Sequence, residues 1–197
     1  MAAMGLAVFA YGSLVSPRSF EQTLGRAPSE LRPRRLGGWR RRWSVVRDNH
    51  SAEKTFARRD NGELPPWIVG LNIEEDRAAA TETAPNGALI EVSEAELDRL
   101  DLREMRYRRV EVTEDIEDDA GAEAVFAYTA RPEHFNPTPP PDAVRMAPYL
   151  RALEAAFGEL GEGEWELFLE TTEEHPGETI EPLLVRDEIP PGNPREW

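Results

Sequence analysis

This sequence predicts an α+β fold, a curled mixed sheet with helices packed around it. Three observations carry that prediction. A continuous apolar run, Leu6 to Ala10, leads through Gly12 to a helix start at Ser16-Pro17, a capping residue followed by proline at the first helical position. The order of strand-like and helical stretches along the chain implies a mixed sheet. A hydrophobic content of 40% with five tryptophans supplies a core for it.

The elements follow in order. After the first strand, Pro17 to Leu24 reads as a short helix, with Phe20 and Leu24 at a spacing of four and Gly25 as its stop. Pro28 to Pro33 is a connector and Leu36 to Val46 the second strand. Asp48 to Pro66 is polar and loop-like, with a turn at Asn61-Gly62. Trp67 to Ile73 is a third strand, and Gly70 inside it suggests a bulge or a close backbone approach. A further turn at Asn86-Gly87 precedes a strand from Ala88 to Val92. Ser93 to Arg106 is the strongest helix, Tyr107 to Thr113 alternates as a strand, and Ala122 to Thr129 is the next strand. Asn136 to Pro141 is a proline-rich crossing without regular structure. A helix over about Asp142 to Phe157 follows, then an acidic remainder with a short helix, Glu164 to Glu170, and an extended tail.

Composition narrows the function classes. The chain has 197 residues, enough for one domain with a core or for a domain plus an appendage. No run approaches the roughly 18 apolar residues of a membrane span. The start, MAAMGLAVF, lacks a basic region before its apolar run, so a secretory signal is not expected. Absence of cysteine removes disulfides, thiol nucleophiles and thiolate metal sites, and with the missing signal it points to the cytoplasm. A formal net charge of −15 opposes nucleic-acid binding, which needs local positive charge. Lys54 is the sole lysine, so arginine supplies nearly all the positive charge.

That positive charge is uneven. Arg26 to Arg47 holds eight arginines and one acid, Glu30. Its centre, Trp39-Arg40-Arg41-Arg42-Trp43, interleaves aromatics with arginine as an RNA-stacking surface does. It also reads as an amphipathic strand with Trp39, Trp43 and Val45 on one face, and we take that reading. Arg41 then shares the tryptophan face and could supply a countercharge to an acidic ligand or a buried carboxylate.

Two features carry chemistry. Backbone N–H groups freed at the Gly12 turn, beside a helix start, form a site ready for an anion; a plain strand-to-helix connection is the other reading. The second feature is Glu104. The helix from Ser93 opens with a capping box, Ser93 with Glu96, and buries Leu97 and Leu100. At about 100° per residue, Glu104 lies roughly 20° from Leu97 and about 40° from Leu100, which puts a carboxyl on the apolar face. Such a carboxyl either works as a general base and acid, or pairs with Arg108, Arg41 or another arginine, or reaches water where the helix ends early. Other chemistries are weak. His50, His134 and His175 are far apart, without metal-ligand spacing, and read as surface or loop histidines. Tyr11-Gly12-Ser13-Leu14 is no nucleophile elbow, since Val15 stands where glycine is required. No P-loop or dinucleotide fingerprint is present.

The strand ending in AYGSL and the later LDLREMRYRRVEV, Leu100 to Val112, together resemble the γ-glutamylcyclotransferase superfamily, in its plant-type and bacterial branches. There a YGS(L/N) loop follows the first strand, and a helix ending in LD-x-x-E precedes a strand that starts near a tyrosine. Leu100, Asp101, Glu104 and Tyr107 match that order. The similarity covers about Leu6 to Phe157, so residues 1–160 are expected as the family-like domain. Residues 161–197 form an acidic C-terminal extension, packed on that domain or trailing from it.

The resemblance implies a small mixed β-barrel flanked by helices, with a cavity at its mouth. It implies conversion of a γ-glutamyl amine or γ-glutamyl dipeptide to 5-oxoproline and a free amine or amino acid, without metal or cofactor. Carried over, Tyr11, Gly12, Ser13 and Leu14 hold the substrate α-carboxylate, chiefly through backbone N–H groups, and Glu104 is the general acid/base. Tyr107 and Tyr128 are expected to line the cavity. The partner implied is a small γ-glutamyl substrate, with no nucleic acid and no membrane. A non-catalytic module of the same fold, binding a small metabolite, is the alternative.

Overall fold

The apolar run at the start becomes the centre of the larger sheet. In the computed structural model, which describes residues 5–119 and 121–194, β1 (Leu6–Ala10) is buried on both faces from Ala7 onward. It runs antiparallel to β6 (Asn86–Val92), with Val8 opposite Ile90, and parallel to β8 (Ala124–Ala130), with Val8 opposite Phe126. β2 (Arg32–Arg35) extends the sheet beyond β6, and β7 (Tyr107–Glu111) extends it beyond β8. A strand flanked on both sides needs apolar residues on both faces, which is what LAVFA provides. The first four residues, on which the reading of the N-terminal leader partly rests, lie outside the described residues.

The second sheet is built on β3 (Trp39–Asp48) and β5 (Trp67–Glu75), paired antiparallel, with β10 (Thr172–Glu173) on the other edge of β3. The predicted alternation in β3 is present: Trp39, Arg41, Trp43 and Val45 are buried. A register shift between Trp43 and Val45 places Val45 opposite Gly70, so the glycine sits across from a bulge. The outward Arg40 and Arg42 pair with Glu74, and Arg42 also with Glu173.

β5 lies against β8, and side chains sew the two together there. Asn72 Oδ1 accepts from Ala130 N at 2.8 Å, and Thr129 Oγ1 donates to Ile73 O at 2.8 Å. The sheets thus curl round one core in the manner of a small mixed barrel, with helices outside. Phe9, Phe20, Leu36, Ile73, Leu153 and Phe157 sit in that core, essentially without exposure.

Local signals set most helix bounds. α1 (Pro17–Leu24) starts where Ser16 caps it and stops at Gly25, whose φ of 75° is left-handed. α2 (Glu94–Arg103) has both arms of the Ser93–Glu96 capping box. It ends three residues before the expected Arg106, with Glu104 as its C-cap and Tyr107 N bonded back to Glu104 O at 2.8 Å. α3 (Ala147–Leu160) starts later than expected. Pro148 inside a helix from Asp142 would lack an N–H and press on the carbonyl four residues back, so it sits instead in the first turn. α4 (Glu164–Glu170) has the expected bounds.

Three expectations are corrected. The polar stretch from Asp48 contains β4 (Lys54–Arg58), a strand because β12 (Pro182–Asp187) pairs with it from the far end of the chain. Asn86-Gly87 is not a turn but the start of β6: Ala10 O lies over Gly87 where a Cβ would stand, so glycine permits the approach. Residues before Pro148 form β9 (Arg145–Met146), paired parallel with β11 (Thr179–Ile180). The last forty residues thus supply α4 and three strands, and Phe168 of α4 is buried against Phe157 with ring centroids 4.6 Å apart. Among the described residues no helix is long and apolar enough to cross a membrane.

Candidate functional site

Tyr11 leaves β1 in a fixed pose. Its hydroxyl donates to Tyr128 O at 2.7 Å, and its own carbonyl accepts from Arg41 Nη1 at 3.3 Å. Burial pushes the Tyr11 hydroxyl well above the usual tyrosine range, so it stays a donor at neutral pH. Gly12 then opens a single 3-10 turn, Ser13 to Val15, closed by Val15 N to Gly12 O at 3.0 Å and anchored by the buried Val15. The amides that open such a turn have no acceptor within it, which suits an anion. A side chain at position 12 would place its Cβ 3.2 Å from the Tyr149 hydroxyl.

Glu104 stands at the end of α2, and its partner is its neighbour. Arg103 Nε donates to Glu104 Oε1 at 3.0 Å. The same guanidinium, itself buried, donates to Ser13 Oγ at 3.3 Å, to Ser19 O at 3.0 Å and Ser19 Oγ at 2.8 Å, and to Thr23 Oγ1. One side chain therefore ties the carboxylate to the loop and to α1. Of the open readings for Glu104, two hold together: it pairs with an arginine, and the helix ends at it. Arg103, beside the cavity, is a residue that the motifs do not single out. It stands three residues after the buried Leu100, about 60° away around the helix, and that adjacency is the signal available in the sequence.

Both pieces line one cavity of about 450 Å³, to which Tyr11, Gly12, Ser13, Leu14 and Glu104 all contribute. All four tyrosines of the chain line it, including the expected Tyr107 and Tyr128. Tyr107 donates to Leu71 O and Tyr128 to Asp101 Oδ1, each at 2.7 Å. Burial, then the bond to Asp101, raises the Tyr128 pKa. The named positions of Leu100-Asp101-x-x-Glu104 thus differ in what they do. Leu100 is core, Asp101 holds Tyr128, and Glu104 faces the cavity.

Arg41 does not supply the countercharge that its place on the tryptophan face left open. It is fully buried outside the cavity, and its hydrogen bonds go to Tyr11 O, Asn86 O, Asn86 Oδ1, Phe168 O, Thr171 Oγ1 and Thr172 Oγ1, all neutral. Its guanidinium lies 3.9 Å from the Phe168 ring centroid. Burial pushes its pKa down to about 9, so it remains charged at neutral pH. It acts as a clamp joining the loop, β6 and α4.

An acid and two arginines on the wall are paired. Glu53 bonds Arg106, and Arg47 lies 3.8 Å from it. Burial works against the Glu53 carboxylate, but the bond and charge of Arg106 outweigh it and hold its pKa at about 2. His175, read as a surface or loop histidine, lies in a loop but is buried, its Nε2 3.0 Å from Ala143 O. No group of three or more acids and histidines gathers in metal-ligand proximity among the described residues.

The curled mixed sheet with outer helices is a fold that solved γ-glutamyl cyclotransferases share. A solved γ-glutamyl cyclotransferase shares that fold with a TM-score of 0.56 at 14% identity, over 88% of this chain and 92% of the other. Less similar are a yeast γ-glutamyl cyclotransferase specific to glutathione (TM-score 0.49, 13% identity, 84% of this chain and 95% of that one) and an Arabidopsis thaliana protein (TM-score 0.40, 25% identity, 66% and 74%). No family model and no curated protein matches the chain.

Proposed function

We propose that this protein is a cyclotransferase that converts a γ-glutamyl amine or γ-glutamyl dipeptide to 5-oxoproline and the free amine or amino acid. One observation carries the reading. The Tyr11–Leu14 loop, suited to a carboxylate, and the Glu104 carboxyl line the same cavity and are joined through Arg103.

In this reading the amides at Gly12, Ser13 and Leu14 hold the substrate α-carboxylate. That grip folds the γ-glutamyl chain so that its neutral α-amino group faces its own γ-carbonyl carbon. The nitrogen attacks, the ring N–C bond forms, and Glu104 takes the proton that nitrogen loses. The tetrahedral carbon then collapses, its bond to the leaving nitrogen breaks, and Glu104 returns the proton to that nitrogen. Holding both reacting groups in one pose supplies the entropic part of the acceleration, and the proton shuttle contributes about 10²–10⁴-fold.

Glu104→Gln keeps the shape and removes the base. The expected result is a folded protein whose 5-oxoproline release drops about 10³-fold or more, assayed over γ-glutamyl amino acids, γ-glutamyl amines and glutathione. Equal release by parent and variant overturns the mechanism. Saturable binding with no release by the parent makes the protein a binding module.

A further inference from the structure

The γ-glutamyl part occupies the loop end of the cavity in the reading above, and the cavity continues past it. Its far wall is apolar: Phe56, Met146, Pro148, Pro182 and Leu184 line it. Pro182 and Leu184 belong to β12, in the C-terminal region beyond the segment that resembles the cyclotransferases. They alternate along the strand, so both face the cavity while Leu183 points away. Leu184 is the register partner of Phe56 on β4, and a register shift just after it skips Val185 before pairing resumes at Arg186 and Thr55. Leu184 is nonetheless 44% exposed, an apolar side chain on a cavity wall with room beside it.

The charge on the cavity wall is also uneven. Four cations, Arg47, Lys54, Arg59 and Arg106, line it against two acids, Glu53 and Glu104, in a chain whose formal net charge is −15. Glu53 is taken by Arg106, and Lys54 Nζ lies 3.3 Å from Asp187. Arg59, at the rim, donates from Nη2 to Pro182 O at 3.1 Å, and its charge also acts on the Glu181 carboxylate nearby. A cationic leaving group, such as a polyamine, would meet repulsion here, and an anionic one attraction.

We infer that β12 and β4 form the leaving-group subsite, and that it takes an amino acid with a bulky apolar side chain and a free carboxylate. The side chain packs on Phe56 and Leu184, and the carboxylate lies toward Arg59. A cavity of about 450 Å³ is within the range that holds a whole small ligand, so both halves of a γ-glutamyl dipeptide fit. The inference rests on the cyclotransferase reading for the identity of the γ-glutamyl half.

The test measures Kd by calorimetry on the Glu104→Gln protein, so that nothing turns over. Three γ-glutamyl conjugates are compared: of phenylalanine, of alanine, and of phenethylamine, which keeps the ring and lacks the carboxylate. The phenylalanine conjugate is expected to bind about tenfold or more tighter than the alanine one, from burial of the ring. It should also bind several-fold tighter than the phenethylamine one. Leu184→Ser should narrow the phenylalanine-to-alanine ratio several-fold, whereas Leu64→Ser, an exposed apolar change off the cavity, leaves it intact. Equal affinity for the first two conjugates, a ratio indifferent to Leu184→Ser, or tightest binding of the phenethylamine conjugate overturns the subsite. Release of 5-oxoproline by the parent is scored separately. Preference in binding without release overturns the enzymatic reading and supports the subsite; release without preference overturns the subsite alone; no binding of any conjugate overturns both.

Discussion

The two ends of the cavity are built in different ways. The loop end comes from two short stretches, Tyr11–Leu14 and Arg103–Glu104, and a single guanidinium ties them together. The far end is assembled from β4 and β12, whose partners Phe56 and Leu184 come from distant parts of the chain. A site made by contiguous residues at the end of a strand and the end of a helix is set by those termini. A wall made by pairing two remote strands depends on the tertiary ladder and is free to differ without disturbing the first. In the proposed reading, chemistry falls at the first end and selection at the second.

That contrast can be broken at the loop end first. Removing Arg103 frees Glu104 from its bond and cuts the ties to Ser13 and α1. Arg103→Met is expected to lower kcat about 10²-fold, as a misplaced reacting group does, with a smaller change in KM. In the proposed reading Arg103 acts through Glu104, so kcat should add no further loss when Arg103→Met is made in the Glu104→Gln chain; a variant that loses only melting temperature would make the residue merely structural. Next in size is Gly12→Ala. Its Cβ would stand 3.2 Å from the Tyr149 hydroxyl, which must then shift slightly on the cavity wall. KM should rise about tenfold, and Tyr149→Phe in the same chain should restore part of it; no rescue removes that contact as the cause.

The smallest effect belongs to the far end and appears in acid. With its pKa held at about 2 against 4.5 ordinarily, Glu53 contributes stability that is complete above about pH 4.5 and lost as pH falls toward 2. Glu53→Gln should therefore flatten the loss of melting temperature over that window, and lower stability at neutral pH by leaving Arg106 without its acid. An unchanged acid limb would show that the pair does not couple to folding.

Much of the frame is legible in the sequence because its signals are local. Ser16, Pro17 and Gly25 bound α1 by capping chemistry alone, and Ser93 with Glu96 starts α2. The alternation of Trp39, Arg41, Trp43 and Val45 marks the inner face of β3. The failures share a cause. β4 is polar enough to read as a loop, and only β12 makes it a strand. Asn86-Gly87 has turn chemistry, but the backbone at Ala10 needs glycine there for close approach. Arg41 reads as a spare charge until its neutral acceptors from three elements are in place.

At the candidate site, the sequence points to residues that line one cavity but not to their connections. The glycine loop and a carboxyl on an apolar helix face can be read from spacing, because strand and helix periods are properties of the local backbone. That Arg103 joins them, that Asp101 holds Tyr128, and that the C-terminal strand walls the same cavity depend on which elements pack together. Packing is decided by burial and pairing summed over the whole chain, and no single stretch carries that sum.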